Sequence, residues 1–228
     1  MSVARRCSHR SIAGIVLLAT LTWGMAAASA MEATPGFATI QRAFLREEFA
    51  AVATLGQTFL AQNPQAPEAP RVWIWLALSL DRLQRSNEAL KEFDRLKARF
   101  ADDDPLWSEV LFWEGDVSRR AAQMIRAKLA YQRLLERYPD SAWNAQAQMG
   151  LGLIYLHQQA YEMAMGYFRE VALRQAATSM ALDALLFEGL CRVKLGQFTE
   201  AIAVLRPLVE RLREPRMVAQ AAFSLGES

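Results

Sequence analysis

From Phe37 onward, apolar side chains recur at intervals of three and four residues almost without a break, and no stretch of any length alternates apolar and polar positions in steps of two. That period matches a helical turn, so the predicted fold is all-helical. A second, longer period lies within it. A small residue followed four and seven positions later by larger apolar ones appears as Ala89, Phe93 and Leu96, then Ala127, Tyr131 and Leu134, then Ala164, Phe168 and Val171, then Ala201, Leu205 and Leu208. Successive copies are 38, 37 and 37 residues apart, and Val52, Gly56 and Phe59 extend the series one further step of 37 towards the N-terminus. The stretch ahead of each copy repeats as well: Trp73, Leu76, Ala77 and Leu80; Leu111 and Gly115; Leu151, Gly152 and Tyr155; Leu185 and Gly189; finally Leu225 and Gly226.

Each unit is therefore a pair of helices. The alanines and the glycines at 115, 152 and 189 let two helix backbones approach closely, and the large neighbours fill the groove beside them. One such hairpin cannot bury both of its apolar faces, so units must stack into a one-dimensional solenoid. Helix punctuation keeps the same phase. Pro64, Pro67 and Pro70 fall between the first and second units, Asp104-Pro105 supplies an N-cap and a first-turn proline, Tyr138-Pro139-Asp140-Ser141 closes the third unit, and Glu214-Pro215 closes the fifth.

The fourth unit, with Leu151-Gly152, Tyr155, Tyr161, Ala164 and Phe168, together with Trp73 in the second and Pro139 in the third, resembles the tetratricopeptide repeat (TPR) family. The resemblance covers about residues 37–228 and implies a right-handed superhelical solenoid of antiparallel helix pairs. The period departs from the family's usual 34, Glu114 and Glu188 replace the leucine before glycine, and no closing proline follows the fourth unit. The longer spacing and the Tyr-Pro-Asp-Ser closing are similar to those of exported Gram-negative members, among them the Tol-Pal-associated periplasmic protein and the TPR lipoprotein of outer-membrane barrel assembly. Met217–Ser228 has the phase of a sixth first helix without its partner helix, which makes Ser228 an expected truncation point in a longer protein; the alternative is that this segment is the solenoid's cap.

Composition refines the compartment. Arg5, Arg6 and Arg10 precede an apolar run from Ile12 to Ala28, and Ala28 and Ala30 flank Ser29 in the form of a secretory cleavage site. Residues 1–30 are read as a signal peptide cut after Ala30, 31–36 as a short linker and 37–228 as the solenoid, which places the mature chain in the periplasm or cell envelope; an uncleaved inner-membrane anchor is the competing reading. Cys7 precedes the apolar run, whereas a lipoprotein's acylated cysteine follows it. Export leaves Cys191 alone, so it forms no intrachain disulfide and is expected to be a buried small hydrophobe. The formal charge of +2 becomes −1 without the leader, with 23 basic residues against 24 acidic ones, and no nucleic-acid footprint is expected.

No catalytic template fits. Gly150-Leu151-Gly152 lacks the third glycine and the preceding strand of a dinucleotide site, and is read as packing. His157 is the one histidine outside the leader and is read as a helix-end residue, so no cofactor and no zinc cluster is expected. Asp102-Asp103-Asp104 lacks the glycine and distal glutamate of an EF-hand loop and is read as a capping turn. Arg119-Arg120 and Arg211-Arg213 are read as solvated helix ends. Trp73, Trp75, Trp107, Trp113 and Trp143 are assigned to first helices, as core and inter-unit packing.

In the TPR family the first helix of each pair lines the concave face, and the resemblance implies that its second, fifth, ninth and twelfth or thirteenth positions point inward. Those are Arg71, Ile74, Leu78 and Arg82; Glu109, Phe112, Asp116 and Arg120; Gln146, Met149, Leu153 and His157; Asp183, Leu186, Leu190 and Lys194. Relatives that grip a C-terminal carboxylate carry lysine, asparagine and arginine here, where this chain offers Ile74, Phe112, Met149 and Leu186. An apolar groove with a charged rim suits an amphipathic helix or an extended apolar segment of a protein partner. The alternative is that the row is covered by the solenoid itself or by a second copy of the chain. The expected function is a non-enzymatic protein-binding scaffold or adaptor, with peripheral association with envelope complexes; the competing readings are an N-terminal structural arm of a longer envelope protein, serving as spacer or self-assembly surface, and an arm that recruits substrate to an enzymatic domain beyond Ser228.

Overall fold

A computed structural model describes residues 35–100, 106–175 and 178–211. The expected signal segment, Asp102–Pro105, Pro215 and the incomplete sixth helix lie outside the described residues. Within them the chain forms ten α-helices and no strand. They are α1 (Pro35–Leu45), α2 (Phe49–Gln62), α3 (Ala69–Arg82), α4 (Ser86–Arg99), α5 (Trp107–Arg120), α6 (Met124–Arg137), α7 (Asn144–His157), α8 (Tyr161–Arg174), α9 (Ser179–Lys194) and α10 (Phe198–Arg211). Odd-numbered helices are the first members of their pairs and even-numbered helices the second. The first described helix opens at Pro35, ahead of the expected Phe37, because proline's fixed φ and missing N–H suit a first helical turn.

All five first helices end in the same way. Glu47, Gln84, Ala122, Gln159 and Gly196 have φ of 59, 64, 59, 61 and 72°, one left-handed residue per unit. In each case the N–H of the following residue reaches back across six residues, as from Arg85 to the Leu80 carbonyl (2.9 Å) and from Ala160 to the Tyr155 carbonyl (2.9 Å). This is the Schellman ending, which satisfies otherwise orphaned carbonyls and turns the chain directly into the second helix. Only one of the five residues is the glycine that the conformation favours.

Packing follows the small-residue positions. A Cβ added at Gly115 would stand 2.5 Å from Tyr131 Cε1, and one added at Gly150 would stand 2.4 Å from Tyr131 Cε2. The Tyr131 ring of α6 is therefore held between the bare backbones of α5 and α7, linking the third unit to the fourth. Phe168 and Leu205 each pack on one glycine within their own helix pair, Gly152 and Gly189, at 2.5 and 2.4 Å from the added Cβ. Gly150 is a packing residue, as expected. Burial pushes the Tyr131 phenol well above the usual tyrosine range, and the nearby Asp116 carboxylate adds to the rise.

Glu114 and Glu188, the two departures from the family's leucine, are buried and ion-paired. Glu114 accepts from Lys97 of α4 at 2.6 Å and lies 2.8 Å from the Arg126 guanidinium of α6. Arg126 continues to Asp94 (2.6 Å) and to the Leu90 carbonyl (3.2 Å) on α4. Glu188 pairs with Arg192 on its own helix at 2.8 Å and with Arg169 of α8 at 3.4 Å. A buried carboxylate accepts only a register that supplies its donors, so these pairs specify how neighbouring helices align. The tryptophans are core, as expected: Trp73 donates its indole N–H to Glu92 at 3.3 Å, and Trp75 stacks between Phe37 and Phe44 of α1 at 5.2 and 5.5 Å. Trp143, expected on a first helix, sits just ahead of α7 at its N-cap position.

Glycine substitutions separate these roles. Gly150→Ala forces Tyr131 to move and is expected to cost about 1–3 kcal/mol by overpacking. Gly166→Ala, which meets nothing within 4 Å on α8, should stabilise by roughly 0.5–1 kcal/mol through helix propensity. Urea unfolding of both variants reads the contrast. Ala122→Gly should relieve a left-handed alanine at a gain of about 1 kcal/mol in the same assay.

Candidate partner-binding groove

The inward row divides into a closed half and an open half. In the closed half, α3 is touched by α1, α2, α4 and α5, and every residue from Val72 to Asp81 is buried. Ile74 and Leu78 are only 0% and 3% exposed, so their side chains present no surface to a partner. Phe112 stacks on Trp143 at 4.7 Å and is buried with it.

Most charged positions of this half are engaged in ion pairs. Arg71 donates to Glu109 at 2.7 Å, joining the first turns of α3 and α5. Arg120 bridges Asp81 of α3, at 2.7 Å, and Asp116 on its own helix, while Arg119 pairs with Asp116 at 2.8 Å. Arg119 is half-buried and not the solvated helix end that the sequence pattern suggested, whereas Arg120 is exposed as expected and ion-paired as well. Asp116 lies one turn back on the same helix as both arginines, and helix stacking adds Asp81 of α3 to Arg120. Asp116 is committed to these pairs.

The open half is built by α7 and α9. Met149, Leu153, Leu186 and Leu190 are half-buried, and His157 and Lys194 are exposed at the last residues of their helices. The difference has a packing cause. Helices α3, α5 and α7 touch in succession, whereas α9 packs chiefly on α8 and α10. The result is two half-buried apolar pairs, Met149 and Leu153 on α7 and Leu186 and Leu190 on α9, with half-buried Asp183 near the start of α9 and exposed His157 and Lys194 at the helix ends. Burial pushes the Asp183 carboxyl up from the usual aspartate range. Such a surface can bury an apolar segment and orient it through its polar ends; it juxtaposes no nucleophile and base. Among the described residues, no three His, Cys, Asp or Glu side chains converge as a metal site would require, and no helix is long and apolar enough to cross a membrane.

A cavity of about 660 Å³ lies away from this row, over α5 between the second helices α4 and α6. Residues on its lining include Leu111, Glu114, Ile125 and Leu129. The inward-position rule missed it, because that rule reads first helices only. A signal was nonetheless present in the repeat register: Ile125 and Leu129 align with Asn87 and Lys91, Glu162 and Gly166, and Thr199 and Ala203 in the other units.

Known proteins share this architecture. The tetratricopeptide repeat profile matches residues 50–105 and 114–181, and the chain belongs to that family. Its members are generally non-enzymatic scaffolds for protein–protein contacts. The structure is similar to the C-terminal part of a TPR repeat-containing protein from Cytophaga hutchinsonii, with a TM-score of 0.65 and 14% identity, covering 76% of this chain and 64% of that one. A tetratricopeptide repeat protein from Parabacteroides merdae gives a TM-score of 0.67 at 14% identity, over 85% of this chain and 75% of that one. A TPR protein of Thermus thermophilus gives 0.54 at 17% identity, over 83% and 97%. No curated protein matches the chain.

Cys191 is buried as expected, with 0% exposure, and burial pushes its thiol up to about 12. With so little thiolate at pH 8, the folded protein should resist iodoacetamide at this residue and react there only after unfolding. Mass mapping of the Cys191 peptide with and without urea reads the difference.

Proposed function

We propose that this protein is a non-enzymatic adaptor of the bacterial cell envelope, exported by its N-terminal segment and cut after Ala30, akin to the exported Gram-negative TPR proteins. It docks an amphipathic helix or an extended apolar segment of a partner protein along the open half of the concave row. The observation that carries this reading is the half-exposure of Met149 and Leu153 on α7 and of Leu186 and Leu190 on α9, where the corresponding Ile74, Leu78 and Phe112 are buried. Burial of the partner's apolar side chains against these pairs supplies the affinity. The rigid stacking of α7 on α8 and of α9 on α10 fixes the partner's direction.

The test starts in the native host. The envelope fraction should contain a soluble species whose N-terminal residue is Met31, and a photo-crosslinker at Leu186 should trap one partner. Leu153→Glu places a carboxylate where association would desolvate it, and should weaken binding of the trapped partner by at least about tenfold. Unchanged affinity in a Leu153→Glu protein with native circular dichroism rejects the groove. A cytoplasmic species that keeps its leader rejects the export.

A further inference from the structure

At each of the first three junctions between units, side chains tie one first helix to the next. Phe37 and Phe44 of α1 stack on Trp75 of α3 at 5.2 and 5.5 Å. Two ion pairs latch α3 to α5, one near each end: Arg71 to Glu109 at 2.7 Å and Asp81 to Arg120 at 2.7 Å. Phe112 of α5 stacks at 4.7 Å on Trp143, the N-cap residue of α7. The fourth junction has no such tie. Among the described residues, no ion pair, hydrogen bond or ring contact joins α7 to α9, and α9 packs chiefly on α8 and α10. The repeat register gives the reason. The positions of Arg71 and Glu109 correspond to Gln146 of α7 and Asp183 of α9, and those of Asp81 and Arg120 correspond to Leu156 and Lys194. In both pairs α9 carries a charge and α7 lacks its opposite.

The contact of α9 with α8 also differs in kind from the junction before it. Tyr131 is wedged between bare backbone at Gly115 and at Gly150. Its counterpart Phe168 meets bare backbone at Gly152, but its ring stacks at 5.1 Å and 23° on Phe187, which stands in register with Gly150. A ring wedged between two backbones resists displacement, because any shift meets hard contacts. Stacked rings keep their contact in offset arrangements, so one can slide over the other. Glu188 reaches Arg169 of α8 at 3.4 Å, while its closer partner at 2.8 Å, Arg192, lies on α9 itself. The core shows the same division. One cluster of buried side chains draws on every helix from α1 to α7, and α9 is the first helix pair's opening member that stands outside it. Ala184 and Cys191 of α9 belong to a smaller cluster with Tyr155 and Phe168, and half-buried Tyr167 touches both clusters.

We infer that the α8–α9 junction is a joint left free by the missing latch, about which α9 and α10 roll as one body and change the separation of α7 and α9. Leu205 against the bare backbone of Gly189 holds α9 to α10, and Phe168 against Gly152 holds α8 to α7. The roll therefore keeps both helix pairs intact and slides Phe187 over Phe168. It is a shear of packed helices, on the microsecond-to-millisecond scale of collective motions. The concave face is then fixed in shape from α1 to α7 and adjustable between α7 and α9. This joint is a property of the free protein and stands whether or not Leu153 and Leu186 dock a partner.

The repeat supplies matched probe sites. Leu129, Gly166 and Ala203 occupy one register position on α6, α8 and α10, and all three are exposed. Nitroxide labels on Leu129→Cys/Gly166→Cys span the tied third junction, and labels on Gly166→Cys/Ala203→Cys span the untied fourth, each in a Cys7→Ser chain. Pulsed double electron–electron resonance on the free protein should give a distance distribution at least about twofold broader across the fourth junction than across the third. Gln146→Arg restores a cation in register with Asp183 and should narrow the broad distribution, with high salt returning its width. Gln146→Leu should leave it broad. Leu153→Glu should change neither distribution, so the joint and the docking groove fail separately. Equal widths at the two junctions, or a fourth-junction width that is the same in Gln146→Arg and Gln146→Leu, would each overturn the proposal.

Discussion

The close approach of helix backbones around Tyr131 governs the whole stack. With glycine at 115 and at 150, one aromatic ring fills the space between α5 and α7 and joins the third unit to the fourth. Within the fourth and fifth units, Phe168 and Leu205 set the approach of the paired helices against Gly152 and Gly189. Because a solenoid has no global core, each such contact sets the spacing and tilt of its neighbours, and errors would accumulate along the stack. The ion pairs of Glu114 and Glu188 act at the adjacent residues. They add little net stability, yet they admit only registers in which Lys97, Arg126, Arg169 and Arg192 arrive at the carboxylates.

The same stacking distributes the functional surface. Where first helices touch in succession, from α1 to α7, they close the concave row and bring Arg71 to Glu109 and Arg120 to Asp81. Where α9 turns to pack chiefly on its flanking second helices, the apolar row stays half-open. Away from that row, Lys97 of α4, Leu111 and Glu114 of α5 and one side of α6 line an open cleft, where Glu114 pairs with Lys97 and Arg126. Both faces thus follow from how far apart neighbouring helices stand, a quantity set by the small-residue contacts.

Much of this is legible in the order of residues. The repeat phase, the pairing of helices and the packing role of the glycines follow from spacing, and Cys191 belongs to the core because it sits among Leu190, Val193 and Leu195. The row of inward positions is legible as a row, but its accessibility is not. Ile74 and Leu153 occupy the fifth and ninth places of the same inward-facing row, and nothing in the local pattern says that one is sealed and the other half-open. Arg120 is legible as an exposed helix end one turn from Asp116, but its second partner, Asp81, arrives only through stacking. The left-handed turn residues are hidden too, since four of the five are not glycine and the surrounding helix pair holds them in place.

Short periods along the chain thus account for helical type, through the three-to-four spacing, for unit length, through the 37-residue repeat, and for the points of backbone approach, through its small residues. These properties are local, because a side chain's position around a helix depends only on its distance along the chain. Which surfaces remain open is a matter of assembly: the closed and open halves of the concave row, the Arg120–Asp81 pair and the cleft beside Ile125 and Leu129 all arise when helices stack. Exposure is a relation between residues far apart in sequence, fixed by the distances between stacked helices, and no window of the chain contains it.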